Sequence, residues 1–273
     1  MHAWMNGELL TDPTAPAITI SDHGFTVGDG VFEAIKVVDG APFALTRHLN
    51  RLAHSAEGLG LPQVDLTQVR TGVDAVLANN PLPLGRIRIT YTGGPAPMGS
   101  GRTDSEPTLV VAVSPMTPYP PTASTCLVPW PRNERSALTG LKTTSYGENV
   151  VALAHAQRAG AAEALFANLA GNLCEGTGSN VFYVLDGELR TPTLASGCLA
   201  GVTRALLLEW AGAREIDESV EVLAEASEIF LASTTRDVQG VHAHDGRSVA
   251  APGPITQEAA HIFAARSAAD IDP

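Results

Sequence analysis

The sequence predicts a two-lobed α+β fold, and three observations carry that expectation. The chain has 273 residues, more than one small core requires. Short runs with two-residue alternation recur on both sides of amphipathic stretches with helical spacing. Between the two halves, SPMTPYPPTAST at 114–125 holds four prolines and several small polar residues, the composition of an extended connection. The predicted boundaries are an N-terminal lobe at 1–115, a proline-rich linker at 116–125 and a C-terminal lobe at 126–273.

Taken in order, AWMNGEL reads as a hairpin turning at Asn6-Gly7, and AITIS alternates like a strand. VFEAIKVVDGAPFAL gives two extended runs around Asp39-Gly40. TRHLNRLAHSAEGLGLP then repeats Leu49, Leu52, Ala53, Ala56 and Leu59 at helical spacing, with Thr46 as cap and Gly60 and Pro62 as stop. A second helix is predicted over LTQVRTGVDAVLANN, followed by strands GRIRITYTGG and PTLVVAVSPM. Past the linker come a strand at TCLVPWPRN, a helix at ENVVALAHAQRAGA, and alternating strand, turn and hairpin from AEALF to RTP. A helix beginning at GVTRALLLEW, a strand EIFLASTT ending in hydroxyls and a closing helix ITQEAAHIFAARSAAD complete the chain.

The net charge of −12, with no basic cluster, disfavours nucleic-acid binding. Three cysteines, Cys126, Cys174 and Cys198, lack close C-x-x-C spacing, which argues against a disulfide framework or zinc knuckle and for a reducing compartment. No signal pattern or membrane-length apolar run is present, so a cytoplasmic protein is expected. There is no H-E-x-x-H, and His242 and His244 read as a solvated turn, so no metal is expected. Neither G-x-x-x-x-G-K-[ST] nor G-x-G-x-x-G occurs, which leaves P-loop and dinucleotide-binding folds without support.

Only two lysines occur, Lys36 and Lys142; every other basic residue besides histidine is arginine. Arginine supplies charge and donors, but only lysine can lose its proton and form a Schiff base. Lys142, in TGLKTTSYGENVV, reads either as that nucleophile or as a solvated surface residue. CEGTGSNVFYV sets Glu175 before two glycines and an apolar strand, either a binding loop or a connecting turn. LAGVTRALLLEW opens a helix with Gly201, Val202 and Thr203, where free amides favour an anion or a plain cap suffices. LASTTRDV brings Ser233, Thr234 and Thr235 to a strand end, to bind a phosphate or to cap a turn. Arg51 follows the helical pattern as a surface residue beside Leu52.

Together and in this order, NGEL, GDGVFEAIKV, HLNRL, the lysine segment, EGTGSNVFYV, LAGVTR and LASTT resemble the class IV aminotransferases. That family holds branched-chain and D-amino-acid aminotransferases, (R)-selective amine transaminases and 4-amino-4-deoxychorismate lyases. The resemblance implies pyridoxal-phosphate (PLP) fold type IV, with a small N-terminal α/β lobe, a larger lobe with a β-barrel-like core, the cofactor in the cleft, and a homodimer. It makes Lys142 the Schiff-base lysine and Glu175 the partner of the pyridine nitrogen. Arg51, the amides at Val202 and Thr203, and the Thr234 hydroxyl would hold the phosphate.

On substrate, the resemblance points to an aminotransferase moving an amino group between a small donor and a 2-oxo acid. Phe32, Lys36 and Arg88 match strands that line the pocket in relatives; Lys36 and Arg88 either bind a carboxylate or face solvent, and Tyr146 is a further candidate. D-amino-acid aminotransferases carry an arginine and a histidine where this chain has Met98 and Ser100, so that mode of carboxylate binding is not expected. The lyase is the alternative; its expected threonine is Ala34 here. A non-catalytic PLP or small-molecule binding protein is the reading from outside enzymology.

Overall fold

The computed structural model describes residues 1–78 and 82–273, which form two compact units. The first comprises Met1–Thr117, Leu141–Tyr146 and Ile271–Pro273; the second comprises Pro118–Gly140 and Gly147–Asp270. Two short segments therefore leave their sequence neighbours to complete the first unit.

That unit is a six-stranded antiparallel sheet in the order β2-β1-β6-β5-β3-β4, built from β1 (His2–Met5), β2 (Glu8–Leu9), β3 (Gly30–Val38), β4 (Ala41–Pro42), β5 (Leu84–Thr92) and β6 (Thr108–Pro115). Three helices accompany it: α1 (His23–Thr26), α2 (Leu45–Gly58) and α3 (Leu66–Leu77). Asn6-Gly7 and Asp39-Gly40 make the hairpin turns, all four residues at positive φ. Trp4, Ile35, Ile87 and Val111 from the sheet pack with Leu49 and Leu52 of α2 and Val73 of α3. On β3, Val31, Glu33, Ile35 and Val37 form one alternating row, of which the three aliphatic residues belong to this core; Phe32, Ala34 and Lys36 take the other face.

Two expectations change here. AITIS is not a strand: Ile18 and Ile20 are 48% and 75% exposed, so its alternation buries no face. Thr46 does not cap α2, because the helix begins at Leu45. Instead Thr46 N and Oγ1 donate to Asp272 at 2.8 and 2.6 Å, and Ala44 N donates to Ile271 O at 2.7 Å. The cap is supplied from the far end of the sequence. In the predicted second helix, Asn79 and Asn80 lie outside the described residues.

The second unit is a curled nine-stranded sheet in the order β12-β11-β10-β13-β14-β7-β8-β9, with β15 on β14. Its strands are β7 (Thr122–Leu127), β8 (Glu163–Ala167), β9 (Leu173–Gly176), β10 (Asn180–Leu185), β11 (Glu188–Thr191), β12 (Arg214–Glu215), β13 (Glu228–Ser233), β14 (Asp237–His244) and β15 (Arg247–Ser248). Its helices are α4 (Gly147–Arg158), α5 (Val202–Ala211), α6 (Val222–Glu225) and α7 (Pro254–Ala269). Strand β7 takes Thr122–Thr125 out of the predicted linker, because those residues pair in parallel with β14 and, at Thr125, with β8. His242 and His244 sit in β14 rather than a turn, and each meets a threonine of β7 at 3.0 Å. The three cysteines are buried free thiols. Among the described residues no helix is long and apolar enough to cross a membrane, and no cluster could hold a metal.

Candidate active site

Lys142 is fixed through its backbone. An antiparallel bridge pairs Val31 with Thr143; Phe32 N donates to Lys142 O at 2.9 Å, and Thr144 N donates to Gly30 O at 2.8 Å. From the helix side, Lys142 N donates to Ser55 Oγ of α2 at 3.1 Å. Its Nζ stands 4.5 Å from the Phe32 ring centroid and 5.9 Å from that of Tyr146, and the two rings meet edge to face at 5.2 Å. Gly28, at φ +71°, closes the turn before β3; a Cβ there would come within 2.7 Å of Ser145 Oγ, so the turn needs glycine to admit the lysine segment.

Basic residues share the Phe32 face of the sheet. The Arg88 guanidinium stacks 3.9 Å from the Phe32 centroid, and Arg88 pairs across the strands with Ala34. Lys36 pairs with Arg86. Lys36 is buried, with Nζ 5.6 Å from the Phe43 ring, so the solvent-facing reading does not hold for it. In a chain of net charge −12 this concentration of cations on one sheet face favours an anion there.

Arg51 is not the surface residue that helical periodicity predicts. Its Nε and Nη2 donate to Glu33 Oε1 and Oε2, both at 2.7 Å, and its side chain is 10% exposed. His48, one turn earlier on α2, donates from Nδ1 to Glu33 Oε2 at 2.7 Å. Burial pushes the Glu33 carboxyl up, but the Arg51 charge and the hydrogen bonds from Arg51 and His48 outweigh it and hold the group at about 2. Burial lowers the His48 pKa, and the pull of Glu33 in the opposite direction does not offset it, so the ring is neutral near pH 7. Glu33 and His48 were not anticipated. The available signal was a carboxylate in the inward row of an apolar strand, which demands a partner.

The second unit gathers its own set. Glu175, in β9, accepts from Leu199 N at 2.9 Å through Oε2, while Oε1 lies 3.4 Å from Arg132 Nε. Arg132 stacks 4.1 Å from the Phe166 centroid and donates to Asn149 Oδ1 at 2.9 Å. Nothing in the sequence pattern marked Arg132. Gly201 is the N-cap of α5 and makes no side-chain capping bond; Val202 and Thr203 begin the helix. A Cβ on Gly201 would collide with Asn180 Oδ1, whose amide nitrogen donates to Leu199 O at 2.9 Å. Ser233 ends β13, and Thr234 and Thr235 occupy the turn into β14.

The family model for class IV amino-transferases matches residues 30–244, a span that includes every residue of both clusters. The chain belongs to the class IV aminotransferase family. It is 30% identical over 273 residues to a bifunctional aminodeoxychorismate lyase / D-amino acid transaminase of Mycobacterium tuberculosis, covering 90% of this chain and 92% of that one. It is 29% identical to the D-alanine aminotransferase of Bacillus licheniformis, covering 94% of each. Among solved structures, the Escherichia coli branched-chain amino acid aminotransferase superposes with a TM-score of 0.91 at 26% identity, over 97% of this chain and 93% of that one.

Class IV transaminases depend on PLP, with aminodeoxychorismate lyase as a related activity. The residues of this class IV chain fit that group. Ser233 Oγ is buried without a hydrogen-bond partner among the described residues, and α5 opens on a glycine with no side-chain cap, both suited to a phosphate. At the position where a substrate carboxylate would be sought by the D-amino-acid pattern, Met98 is 81% exposed and Ser100 is exposed. Arg102, the nearest guanidinium in sequence, grips Asp29 through Nε and Nη2 and donates to the carbonyls of Leu59 and Gly60.

Proposed function

We propose that Lys142 is the catalytic lysine of a PLP-dependent transaminase that takes a small amino donor and a 2-oxo acid. The observation that carries this is the Lys142 amine held above Phe32 by backbone bonds on both sides, in a chain with one other lysine. PLP, when bound, supplies the ring that accepts electrons as the Cα proton leaves. Lys142 Nζ takes that proton and returns it. Glu175 would face the pyridine nitrogen, with Arg132 beside it. Arg51, the amides of Val202 and Thr203 after Gly201, and the hydroxyls of Ser233 and Thr234 would hold the phosphate, with Thr235 next to them. Arg88 and Lys36, on the Phe32 face, would take an acceptor's carboxylate, with Phe32 and Tyr146 as apolar walls.

Transamination is favoured over the lyase reaction by Ala34. It lies on the Phe32 face opposite Arg88, where a threonine would present a hydroxyl and alanine presents none. A homodimer fits the exposed Ile18, Ile20, Phe25 and Val27, an apolar patch within one short stretch. A cytoplasmic setting fits the three buried thiols.

The test is borohydride reduction of the purified yellow protein followed by peptide mapping, which should place the pyridoxyl group on Lys142. A label on Lys36, or a colourless protein that ignores added PLP, overturns the reading. Assays with a donor panel, pyruvate and 2-oxoglutarate, run beside aminodeoxychorismate on one preparation, decide between the reactions. Release of 4-aminobenzoate without any half-reaction toward an amino donor would select the lyase.

A further inference from the structure

We infer that Glu33, assisted by His48, is a positioning residue that aims Arg51 at the cofactor phosphate; this rests on the reading that Arg51 binds that phosphate. Glu33 lies in the inward row of β3 among Val31, Ile35 and Val37, with no side-chain exposure. An arginine on a helix surface has many rotamers, and a phosphate gains little from one that wanders. Here the two-point grip at 2.7 Å on Nε and Nη2 fixes the plane of the guanidinium and turns its Nη1 edge away from Glu33. His48 supplies the third donor to the same carboxylate at 2.7 Å. That bond keeps Glu33 from rotating about its own carboxyl axis and letting one arm of the fork go.

Charge alone does not explain the arrangement, because Glu33 offsets the positive charge of Arg51. A site built only for attraction would omit the carboxylate. Direction is what the pair adds, and a dianion with oxygens at fixed angles rewards direction.

The test compares apo-protein binding of PLP with binding of pyridoxal, which lacks the phosphate, by absorbance or fluorescence titration. Wild type should prefer PLP. Glu33→Gln places an amide N–H against donors and should weaken PLP at least tenfold while leaving pyridoxal within twofold. Arg51→Gln should show the same selective loss, and the double variant should be no weaker than Arg51→Gln alone. Glu33→Asp, which keeps the charge, should fall between wild type and Glu33→Gln. If Glu33→Gln does not fold, His48→Gln should still show a phosphate-selective loss of about threefold, on the scale of one hydrogen bond.

A wild type with no preference for PLP over pyridoxal would overturn the phosphate reading of Arg51 itself. A preference lost in Arg51→Gln but kept in the Glu33 or His48 variants would leave that reading standing and overturn the positioning role. A fall in apo-protein melting temperature with an unchanged PLP-to-pyridoxal ratio would make Glu33 purely structural.

Discussion

The candidate residues of each unit include an arginine–glutamate pair, Arg51–Glu33 in the first and Arg132–Glu175 in the second, and these two are built in opposite senses. In the first, Glu33 has no side-chain exposure and receives both arms of Arg51 at 2.7 Å. In the second, Glu175 and Arg132 approach only to 3.4 Å; Arg132 Nε has no hydrogen bond among the described residues, and its guanidinium rests on Phe166. The first pair uses a carboxylate to orient a cation. The second sets a cation beside a carboxylate without gripping it. Contact geometry, rather than residue identity, separates the two roles.

The largest expected effect breaks the first pair. Arg51→Met leaves Glu33 buried with His48 as its remaining partner, and should destabilise the apo-protein by about 3–5 kcal/mol, whereas Arg132→Met should cost under about 1 kcal/mol. Denaturant melts of both variants measure the contrast; equal losses would show that the 3.4 Å pair is as structural as the tight one. Next comes function in the second pair. Glu175→Gln should retain PLP but lower kcat about 10²-fold, or about 2.7 kcal/mol in barrier, and Arg132→Met should reproduce a smaller part of that loss. A Glu175→Gln enzyme of full activity would remove Glu175 from the chemistry.

A pH scan sharpens the comparison further. The folded pKa of His48 lies below its ordinary 6.5, so as pH falls through 6.5 the unfolded chain takes up the proton first. Stability from this residue is therefore complete above 6.5 and declines below it, by about 1.4 kcal/mol at most near pH 5.5. His48→Asn keeps a donor for Glu33 but has nothing to titrate, and should lose less melting temperature between pH 7.5 and 5.5. Parallel pH slopes would contradict the neutral assignment. The smallest effect is at the helix start: Asp272→Ala should cost about 1 kcal/mol through the lost cap on α2, a shift of about 2–4 °C in melting temperature.

The helices and most strands were legible because their patterns are local. Leu49, Leu52 and Ala56 announce α2 by spacing alone, and Asn6-Gly7 announces a hairpin by φ preference. What failed was set by partners distant in sequence. The cap of Thr46 is 226 residues away, and Arg51 is held by a strand residue 18 positions earlier, neither of which periodicity can register. AITIS failed for the converse reason, since its alternation has no second surface to bury against. Among the candidate residues, scarcity singles out Lys142 and the two glycines that follow single out Glu175, whereas Arg132 follows a proline in an irregular stretch that carries no repeating pattern.

The lysine segment has one more effect, on solubility. Strand β3 lies next to the margin of its sheet, and β4 covers only its last residues, at Val37 and Val38. Its beginning, Gly30–Phe32, is covered by residues 142–144, the stretch that carries the candidate nucleophile. Until those residues arrive, a growing chain or a fragment ending at Thr117 presents an open row of peptide groups, the surface on which strands of neighbouring molecules add. Substitutions around Lys142 that loosen its backbone should therefore appear as aggregation during expression, before any assay of activity is possible.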